Sequence, residues 1–476
     1  MDTQRDRQVY LIGIGGIGMV NVAALLSEAG WQVAGSDHAI YSPASELLAR
    51  LPVSFRTPYS ADNVPDKGAC IVGNALSRGH VEVEAALTRG LDLFSFPEFL
   101  RLFLLPQKKR IVVTGTHGKT TTAACIAYIL ERLGESPSFL VGGEPKDFPF
   151  GGHCGRGALT VLEGDEYDSA FFDKRSKFLH YFPHILTMGP VEFDHADIFA
   201  SLDDIKKSFH LLLRLLPQDG IVVAYGDHPV TRQIAAASPC RVVWVGANES
   251  NDWRLLPASD RLSWRRKGRG EDESAWALLG RHNRLNGLMA LATVVESGFD
   301  EASAIRALQS FGGVRRRLES LLETENLSVM DDFAHHPTAI SAAIQAVREK
   351  YPNRRLVALF EPRSNTTVRN YFQKELAEAL AEADNVVVGS IHREEQIPTD
   401  QRLDINLLAR DLSDRGCAFA HMANEEIPDW LLSQPLTEPT VVLFMSNGMF
   451  SGVQARFLDG LKHFFHAMIE VRSSII

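Results

Sequence analysis

The chain has 476 residues, of which 45% are hydrophobic and 23% are charged, and its formal net charge is −10. This composition is typical of a soluble globular protein of about three domains, and the acidic balance argues against a nucleic-acid partner. The cysteines are scattered without metal-type spacing, and no apolar run approaches the ~18 residues of a membrane span, so we expect a cytoplasmic protein without disulfides, zinc or membrane insertion.

The first predicted elements form a Rossmann-type unit. An apolar strand at 9–12 is followed by a glycine-rich loop, a helix through Leu26 and a second strand that ends in Asp37. Such glycines permit close approach of a diphosphate, and an acidic residue about 20 positions further on can accept from a ribose or base donor. A packing turn is the alternative explanation. The candidate ligand residues are Gly13, Ile14, Gly15, Gly16, Gly18 and Asp37.

A further strand at 69–72 ends in the polar segment 73–79. This favours a bound ligand, because ligands in open α/β sheets gather at the carboxyl ends of strands. Asn74 and Ser77 are the candidates in that segment. The stretch 94–110, with its prolines and basic end, predicts a helix and a linker that close the first domain near residue 108.

The segment 111–122 has the pattern of a phosphate-binding loop. An apolar strand breaks into glycines, delivers a lysine and opens a helix. The glycines turn backbone N–H groups onto phosphate oxygens, the helix N-terminus adds a favourable dipole, and the lysine supplies a charge. The glycines stand closer together than in a standard P-loop. The predicted ATP-binding residues are Gly115, Thr116, His117, Gly118, Lys119, Thr120 and Thr121.

Acidic residues follow two further predicted strands of this second domain. The strand at 158–162 leads into 163–168, and the strand at 184–188 is followed by 192–197. Mg²⁺ takes carboxylate and phosphate oxygens together, which favours a metal beside the phosphate loop. Solvated acidic turns are the alternative, but a histidine within the second segment fits that alternative poorly. The predicted metal ligands are Thr120, Glu163, Glu166 and His195.

Polar residues precede a predicted small-residue helix at 288–295. Asn286 lies three positions after Asn283 and four after His282, so it neighbours both on a helix surface, where the amides could read a nucleobase. Helix capping by Asn283 is the alternative. The glycine pair 312–313 predicts a hinge before the next domain.

The third predicted domain again alternates strands and helices. Three of its strand ends are polar, at 331–337, 361–366 and 445–448. At the carboxyl edge of one sheet they favour a binding face. We therefore predict an α/β protein of three domains. They are a Rossmann-like domain at 1–108, a central P-loop ATPase-type domain at 109–313 and a second Rossmann-like domain at 314–476.

Together these motifs resemble the Mur ligases, the ATP-dependent amide-forming family of peptidoglycan assembly. The resemblance covers essentially the whole chain. It is carried by the segments 13–18, 115–120, 280–283 and 331–338. The segments 163–178, 192–199 and 360–366 are similar to the branch that attaches a tripeptide to UDP-N-acetylmuramate in peptidoglycan recycling.

The resemblance implies that the first domain holds UDP-N-acetylmuramate, whose carboxylate takes a phosphoryl group from ATP. The amine of L-alanyl-γ-D-glutamyl-meso-diaminopimelate then displaces phosphate. ATP and Mg²⁺ are the implied cofactors. Lys119, Glu163 and His195 are the implied catalytic residues. His282, Asn283, Asn286, Arg317 and Asp332 are implied on the ATP side, and His335, Arg363 and Asn447 on the peptide face. Arg363 is favoured for a carboxylate because its guanidinium fork can bind one bidentately.

The chain departs from the family pattern at two places. Residues 188–190 stand where the family usually has an asparagine, and Met449 and Ser451 stand where glycines are expected. No lysine is assigned to the carbamylated role that some relatives use.

Alternatives to the tripeptide ligase stay open. One is a ligase that adds L-alanine to UDP-N-acetylmuramate, and another is a catalytically weak nucleotide-binding sensor of muramyl ligands. A nicotinamide dehydrogenase, which the glycine loop alone suggests, would leave Lys119 without a role. The sequence does not separate a monomer from a homodimer.

Overall fold

The computed structural model describes residues 7–434 and 438–462. The chain forms two compact units. The first contains the residues up to Phe193 together with 198–277 and 283–315, and the second contains 194–197, 278–282 and the residues from Arg316 onward. In the described part of the chain, no helix combines the length and apolarity needed to cross a membrane. The predicted α/β class is confirmed, whereas the predicted domain boundaries stay predictions.

The first unit begins with a parallel five-stranded sheet in the order β3-β2-β1-β4-β5. Its strands are β1 Gln8–Ile12, β2 Gln32–Ser36, β3 Ser54–Arg56, β4 Ala69–Val72 and β5 Asp92–Phe94, and its helices are α1 Ile17–Glu28, α2 Ala44–Ala49, α3 Val81–Thr88 and α4 Phe96–Phe103. The strand order reverses between β1 and β4, which is the point where ligands bind in such sheets. The loops after these two strands meet there, since the Gly73 N–H donates to the Ile12 carbonyl at 2.9 Å.

A ten-stranded sheet follows, in the order β17-β16-β15-β14-β13-β12-β6-β9-β7-β8. Its first part consists of β6 Lys109–Thr114, α5 Lys119–Arg132, β7 Ser138–Leu140, β8 Gly152–His153 and β9 Leu159–Glu163, followed by the separate hairpin β10 Asp168–Ala170 and β11 Asp173–Ser176. Its second part consists of β12 Ile185–Met188, α6 Leu202–Leu213, β13 Ile221–Tyr225, α7 Pro229–Ala235, β14 Arg241–Gly246, β15 Trp253–Leu255, β16 Arg261–Arg266, β17 Glu271–Ala275, α8 Arg281–Glu296 and α9 Glu301–Leu308. Because β6 lies between β9 and β12, the phosphate loop has an acidic strand end on either side.

Both edges of this sheet depart from the parallel pattern, since β7 and β8 pair antiparallel at one edge and β15 to β17 do so at the other. The strands β15, β16 and β17 pair antiparallel, and the basic segment 265–269 spans the end of β16 and the turn into β17. The outermost strand β17 exposes Glu271, Asp272 and Glu273. Arg261 lies 2.9 Å from Glu273, an exposed ion pair that contributes little to stability because water and salt screen it.

Helix α8 begins at Arg281, earlier than the predicted start at residue 288. The prediction was wrong because the first two turns are polar and therefore lack an apolar pattern. Gly280, with φ of +85°, stands just before the helix. Asn283 and Asn286 both lie in this helix, as expected from the spacing that made them neighbours on a helix surface.

The second unit contains a six-stranded sheet in the order β18-β19-β23-β20-β21-β22, in which only β18 runs antiparallel to its neighbour. Its elements are β18 Glu319–Glu323, β19 Leu327–Asp332, α10 Pro337–Lys350, β20 Arg355–Phe360, α11 Gln373–Leu380, β21 Asn385–Val388, α12 Ile405–Asp414, β22 Ala418–His421, α13 Ile427–Ser433 and β23 Thr440–Met445. The last strand inserts between β19 and β20. The three polar strand ends predicted to share one edge are therefore neighbours.

Candidate functional site

The phosphate loop turns on two glycines with left-handed backbone angles. Gly115 has φ of +120° and Gly118, which precedes α5, has φ of +78°. A Cβ atom on Gly115 would lie 2.9 Å from the backbone of Gly189, so no side chain fits there. The loop is thus built for close backbone approach, as the sequence predicted.

Lys119 is the first residue of α5, and its ammonium group is almost buried. Nζ donates to the Gly115 carbonyl and to Glu166 Oε2, both at 2.8 Å. Burial alone would lower the pKa of Lys119, but the charges of Glu166 and Asp165 raise it above its ordinary value. The lysine therefore stays protonated where a phosphate could exchange for Glu166.

Thr120 and Glu163 form the second pair beside the loop. The Thr120 hydroxyl donates to Glu163 Oε1 at 2.8 Å, and the Gly142 N–H donates to Glu163 Oε2 at 2.6 Å. A hydroxyl oxygen and a carboxylate oxygen this close together are hard oxygen ligands of the kind that Mg²⁺ prefers. The contribution of Gly142 could not be predicted from the sequence, since this glycine lies in a separate loop after β7.

The segment 188–190, where the chain departs from the family pattern, packs against the phosphate loop through its backbone. The Thr116 N–H donates to the Pro190 carbonyl at 2.7 Å, and the Gly189 N–H donates to the Thr114 carbonyl at 2.9 Å. His117 lies 2.8 Å from Glu192, just beyond this segment. The segment 188–190 therefore supports the phosphate loop through main-chain hydrogen bonds.

Two of the residues predicted to read a base contact each other and the loop. Asn286 Nδ2 donates to Asn283 Oδ1 at 3.3 Å, and the Asn286 side chain lies directly against Gly118. Asn283 and Thr121 are buried. His282 belongs to the second unit, where its ring lies against Gly280.

N–H groups of the glycine loop after β1 are already hydrogen-bonded within the protein. The Gly15 N–H donates to Asp37 Oδ2 at 2.8 Å, and the Tyr59 hydroxyl donates to Asp37 Oδ1 at 3.1 Å. The Ile14 side chain is fully buried and its N–H donates to the Ser36 carbonyl, which supports the loop, and its predicted role at a ligand stays a prediction. Gly16 and Gly18 have open space where a Cβ would stand.

Polar groups around this loop support a ligand site. Asn74 Oδ1 is buried without a hydrogen-bond partner among the described residues, as are both ring nitrogens of His80. The His80 ring packs edge-on against Tyr59 at 4.3 Å between centroids. Ser77 is exposed. The sequence analysis missed Tyr59 and His80, because neither belongs to a recognisable motif.

His195 lies in the short segment 194–197 of the second unit. It is buried with φ of +57° and follows Asp194, whose Oδ1 accepts the Thr366 hydroxyl at 3.0 Å. Burial acts to raise the pKa of Asp194, but the charges of His195, His335 and His336 outweigh it and lower the pKa. Asp194, which the sequence analysis did not single out, is therefore an anionic anchor for this segment.

The predicted nucleotide residues of the second unit surround the end of β19. Asp332 is buried, and its two oxygens accept from the N–H groups of Leu318 and Ala334, each at 2.7 Å. Arg317 lies over the Phe333 ring at 4.9 Å, and His335 Nδ1 is 3.0 Å from the Phe333 carbonyl. Burial raises the pKa of Asp332 to about 6.

Two of the three predicted peptide residues, Arg363 and Asn447, lie just after the ends of β20 and β23. The Arg363 side chain lies directly against Gly448, and its guanidinium is 3.6 Å from the buried Glu361. Asn447 Oδ1 has no hydrogen-bond partner in the described part of the chain. Arg316, which the sequence analysis did not single out, donates to the Ser446 carbonyl at 2.7 Å and steadies this loop.

Comparison with family models covers most of the chain. Residues 8–107 match the model described as "Mur ligase family, catalytic domain", residues 113–294 match "Mur ligase middle domain", and residues 316–448 match "Mur ligase, glutamate ligase domain".

Individual relatives agree with these matches. The chain is 37% identical to the UDP-N-acetylmuramate–L-alanyl-γ-D-glutamyl-meso-2,6-diaminoheptandioate ligase of Escherichia coli, over 95% of this chain and 98% of that protein. It is 35% identical to the UDP-N-acetylmuramate–L-alanine ligase of Rubrobacter xylanophilus, over 89% of this chain and 93% of that protein. Among solved structures, it resembles the murein peptide ligase of Psychrobacter arcticus with a TM-score of 0.73 and 30% identity, over 95% of this chain and 98% of that one.

The raised pKa of Asp332 predicts a pH-dependent stability. Because the folded pKa of about 6 lies above the ordinary value of 3.8, the folded protein binds a proton that the unfolded chain releases in this range. The wild type should therefore gain about 1 kcal/mol relative to Asp332→Asn as the pH falls from 7 to 5. Urea unfolding of both proteins at the two pH values measures this difference. An unchanged difference would mean that Asp332 is already ionised at pH 5.

Proposed function

The chain belongs to the Mur ligase family of C–N bond-forming ligases, and we propose that it joins UDP-N-acetylmuramate to L-alanyl-γ-D-glutamyl-meso-diaminopimelate in peptidoglycan recycling. The similarity to the Escherichia coli relative over almost its whole length carries this proposal. ATP is the proposed phosphoryl donor, and the cytoplasm the proposed location.

The proposed reaction has two steps. A lactyl carboxylate oxygen attacks the γ-phosphorus of ATP, the bond to the β-phosphate oxygen breaks, and ADP leaves. The tripeptide amine then attacks the acyl carbon, the carbon–oxygen bond to phosphate breaks, and the amine loses a proton. Catalysis of this kind depends mainly on positioning and charge stabilisation.

Lys119 stabilises the negative charge of the phosphoryl group during its transfer. Its ammonium is held at the loop by the Gly115 carbonyl and by Glu166, and it stays protonated. An incoming γ-phosphate replaces Glu166 as the anionic partner, so the charge is already in place when phosphoryl transfer begins. The backbone of Gly115 and Gly118 allows the phosphates to reach it.

The residues beside the loop fit Mg²⁺, which in such sites neutralises phosphate charge. The fit rests on the Thr120 hydroxyl and the Glu163 carboxylate, two hard oxygen donors 2.8 Å apart next to the lysine. The proposed ligands are Thr120, Glu163, Glu166 and His195.

We assign the diphosphate and the nucleoside of UDP-N-acetylmuramate to the first sheet. Gly13, Gly15, Gly16 and Gly18 form the glycine loop and the start of α1. Asp37 accepts from the Gly15 N–H, and the buried Asn74 Oδ1 has no hydrogen-bond donor among the described residues. This arrangement supports binding where the strand order reverses.

The tripeptide is assigned to the end of the third sheet. Arg363 offers a guanidinium fork to a carboxylate, Asn447 offers a buried acceptor that has no hydrogen-bond partner among the described residues, and His335 lies at the neighbouring strand end. A peptide with several carboxylates suits this face better than L-alanine does. The L-alanine ligase stays the second candidate because a relative of that name is 35% identical.

Phosphate release separates the two candidates. The protein is given ATP, Mg²⁺ and UDP-N-acetylmuramate with either the tripeptide or L-alanine, and the product mass is determined. We expect turnover with the tripeptide only. Turnover with L-alanine only would assign the biosynthetic reaction. No turnover with either amine would favour the catalytically weak sensor of muramyl ligands.

Arg363→Ala should raise the KM for the tripeptide at least tenfold with a smaller effect on kcat, because a charge-assisted hydrogen bond to a carboxylate contributes about 1.5–3 kcal/mol. The exposed Arg410→Ala is the matched control and should behave as wild type. Steady-state kinetics with varied tripeptide measure the effect. An unchanged KM would remove Arg363 from the peptide site.

Lys119→Ala should lower ATP turnover by at least about 10²-fold without unfolding the chain, since a charge aimed at the transferred phosphoryl group is lost. Lys109→Ala serves as the control, because Lys109 is exposed at the start of the same strand β6. Phosphate release gives the rate, and circular dichroism reports folding. Wild-type turnover in a folded variant would exclude Lys119 from the mechanism.

Gly189→Asn tests whether the unusual segment 188–190 impairs the enzyme. A Cβ there would lie 3.1 Å from the His117 carbonyl, so the phosphate loop would have to shift. We expect turnover to fall about tenfold, as a misplacement within a catalytic site commonly lowers rates. The comparison is made against wild type at saturating ATP. A large gain in rate would instead support the catalytically weak sensor.

A further inference from the structure

Asn21 is a fully buried amide in helix α1 whose hydrogen bonds all leave the first sheet. Its Nδ2 donates to the carbonyls of Val141 and Gly143, at 3.0 and 3.1 Å. Its Oδ1 accepts from the Gly151 N–H at 3.0 Å. Both donor hydrogens and the acceptor are thus used by backbone atoms more than a hundred residues away in the chain.

The packing around the Asn21 side chain leaves no room for additional atoms. A Cβ on Gly151 would overlap Asn21 Nδ2, and a Cβ on Gly152 would overlap the Asn21 main-chain oxygen. The two glycines therefore let α1 approach strand β8 closely. A satisfied polar contact in such a tight site fixes position more strongly than apolar packing does.

The loop 141–143, which Asn21 binds, contacts Glu163, the carboxylate predicted to bind the metal. Gly142, between the two carbonyls that Asn21 binds, donates its N–H to Glu163 Oε2 at 2.6 Å. The other carboxylate oxygen accepts from Thr120 at 2.8 Å. A Cβ on Gly143 would lie 2.9 Å from Thr120 Cγ2, so this loop also packs on the first turn of α5.

We propose that Asn21 is a positioning residue, which fixes the loop 141–143 so that the Gly142 N–H orients Glu163 for the metal. This inference rests on the proposed function, since it assigns Glu163 to the metal. It also has a consequence for the substrates, because Asn21 lies on the helix whose N-terminus follows the diphosphate loop. The muramate and metal–nucleotide sites are then joined by one hydrogen-bonded path.

Mn²⁺ binding tests the proposal without turnover. The wild type, Asn21→Asp, Glu163→Gln and the double variant are titrated with Mn²⁺ in the presence of a non-hydrolysable ATP analogue, and free Mn²⁺ is followed by electron paramagnetic resonance. Asn21→Asp keeps the size of the side chain but places an oxygen against the carbonyls of Val141 and Gly143. We expect it to weaken Mn²⁺ binding about tenfold, as loss of an outer hydrogen bond does in other metal sites.

The double variant shows whether Asn21 acts through Glu163. If it does, Asn21→Asp should change Mn²⁺ affinity less than twofold once Glu163 has been replaced, because the two effects share one path. Additive effects, or wild-type Mn²⁺ affinity in folded Asn21→Asp, would overturn the proposal.

Glu28→Gln is the matched control. Glu28 ends the same helix and joins it to the same edge, by accepting from Cys154 N–H at 2.8 Å and pairing with His153 at 2.7 Å. It does not touch the loop 141–143 in the described contacts. This variant should lower the thermal midpoint while leaving Mn²⁺ affinity unchanged, and an equal loss of affinity would reduce Asn21 to a general structural contact.

Asn21→Ser provides a second route if Asn21→Asp does not fold. Its hydroxyl is too short to reach both carbonyls, so Mn²⁺ binding should again weaken, and unchanged binding would overturn the proposal. The titration is independent of the acyl substrate. A protein that is inactive as a ligase but loses Mn²⁺ affinity in Asn21→Asp would contradict the proposed function alone.

Discussion

The structure depends on one electrostatic constraint, which is a buried ammonium group at the mouth of the phosphate loop. Lys119 is removed from water and is tolerable only because Glu166 and Asp165 lie beside it. Those carboxylates stand there because β9 is the neighbour of β6. The strand order of the central sheet therefore matters for the proposed chemistry. It places the carboxylates of Asp165 and Glu166 beside the Lys119 ammonium, which is proposed to bind phosphate.

Much of the fold could be predicted from local sequence. Strands of parallel sheets are buried on both faces and appear as continuous apolar runs, which is why β4 was placed with its observed bounds. The start of α8 was placed too late, since polar side chains fill its first turns. The phosphate loop was found because its glycines, lysine and threonine are adjacent in the chain.

The partners of the site residues could not be predicted in the same way. Glu163 was recognised as a strand-end carboxylate, but the Gly142 N–H that orients it comes from a loop with no distinctive composition. Asn21 looked like one more residue of an apolar helix. The burial of the Ile14 side chain could not be predicted from its place in the glycine loop. In each case the deciding contact joins segments that only the fold brings together, and the ligand roles themselves stay predictions.

The antiparallel hairpin at the edge of the central sheet has a consequence for the protein's behaviour at high concentration. An open parallel edge presents unpaired N–H and C=O groups on which a second chain could add a strand. Here the edge strand β17 carries acidic side chains at Glu271, Asp272 and Glu273. A copy approaching edge to edge would bring like charges together. The acidic hairpin thus protects this edge of the large sheet from cross-chain β-pairing and aggregation.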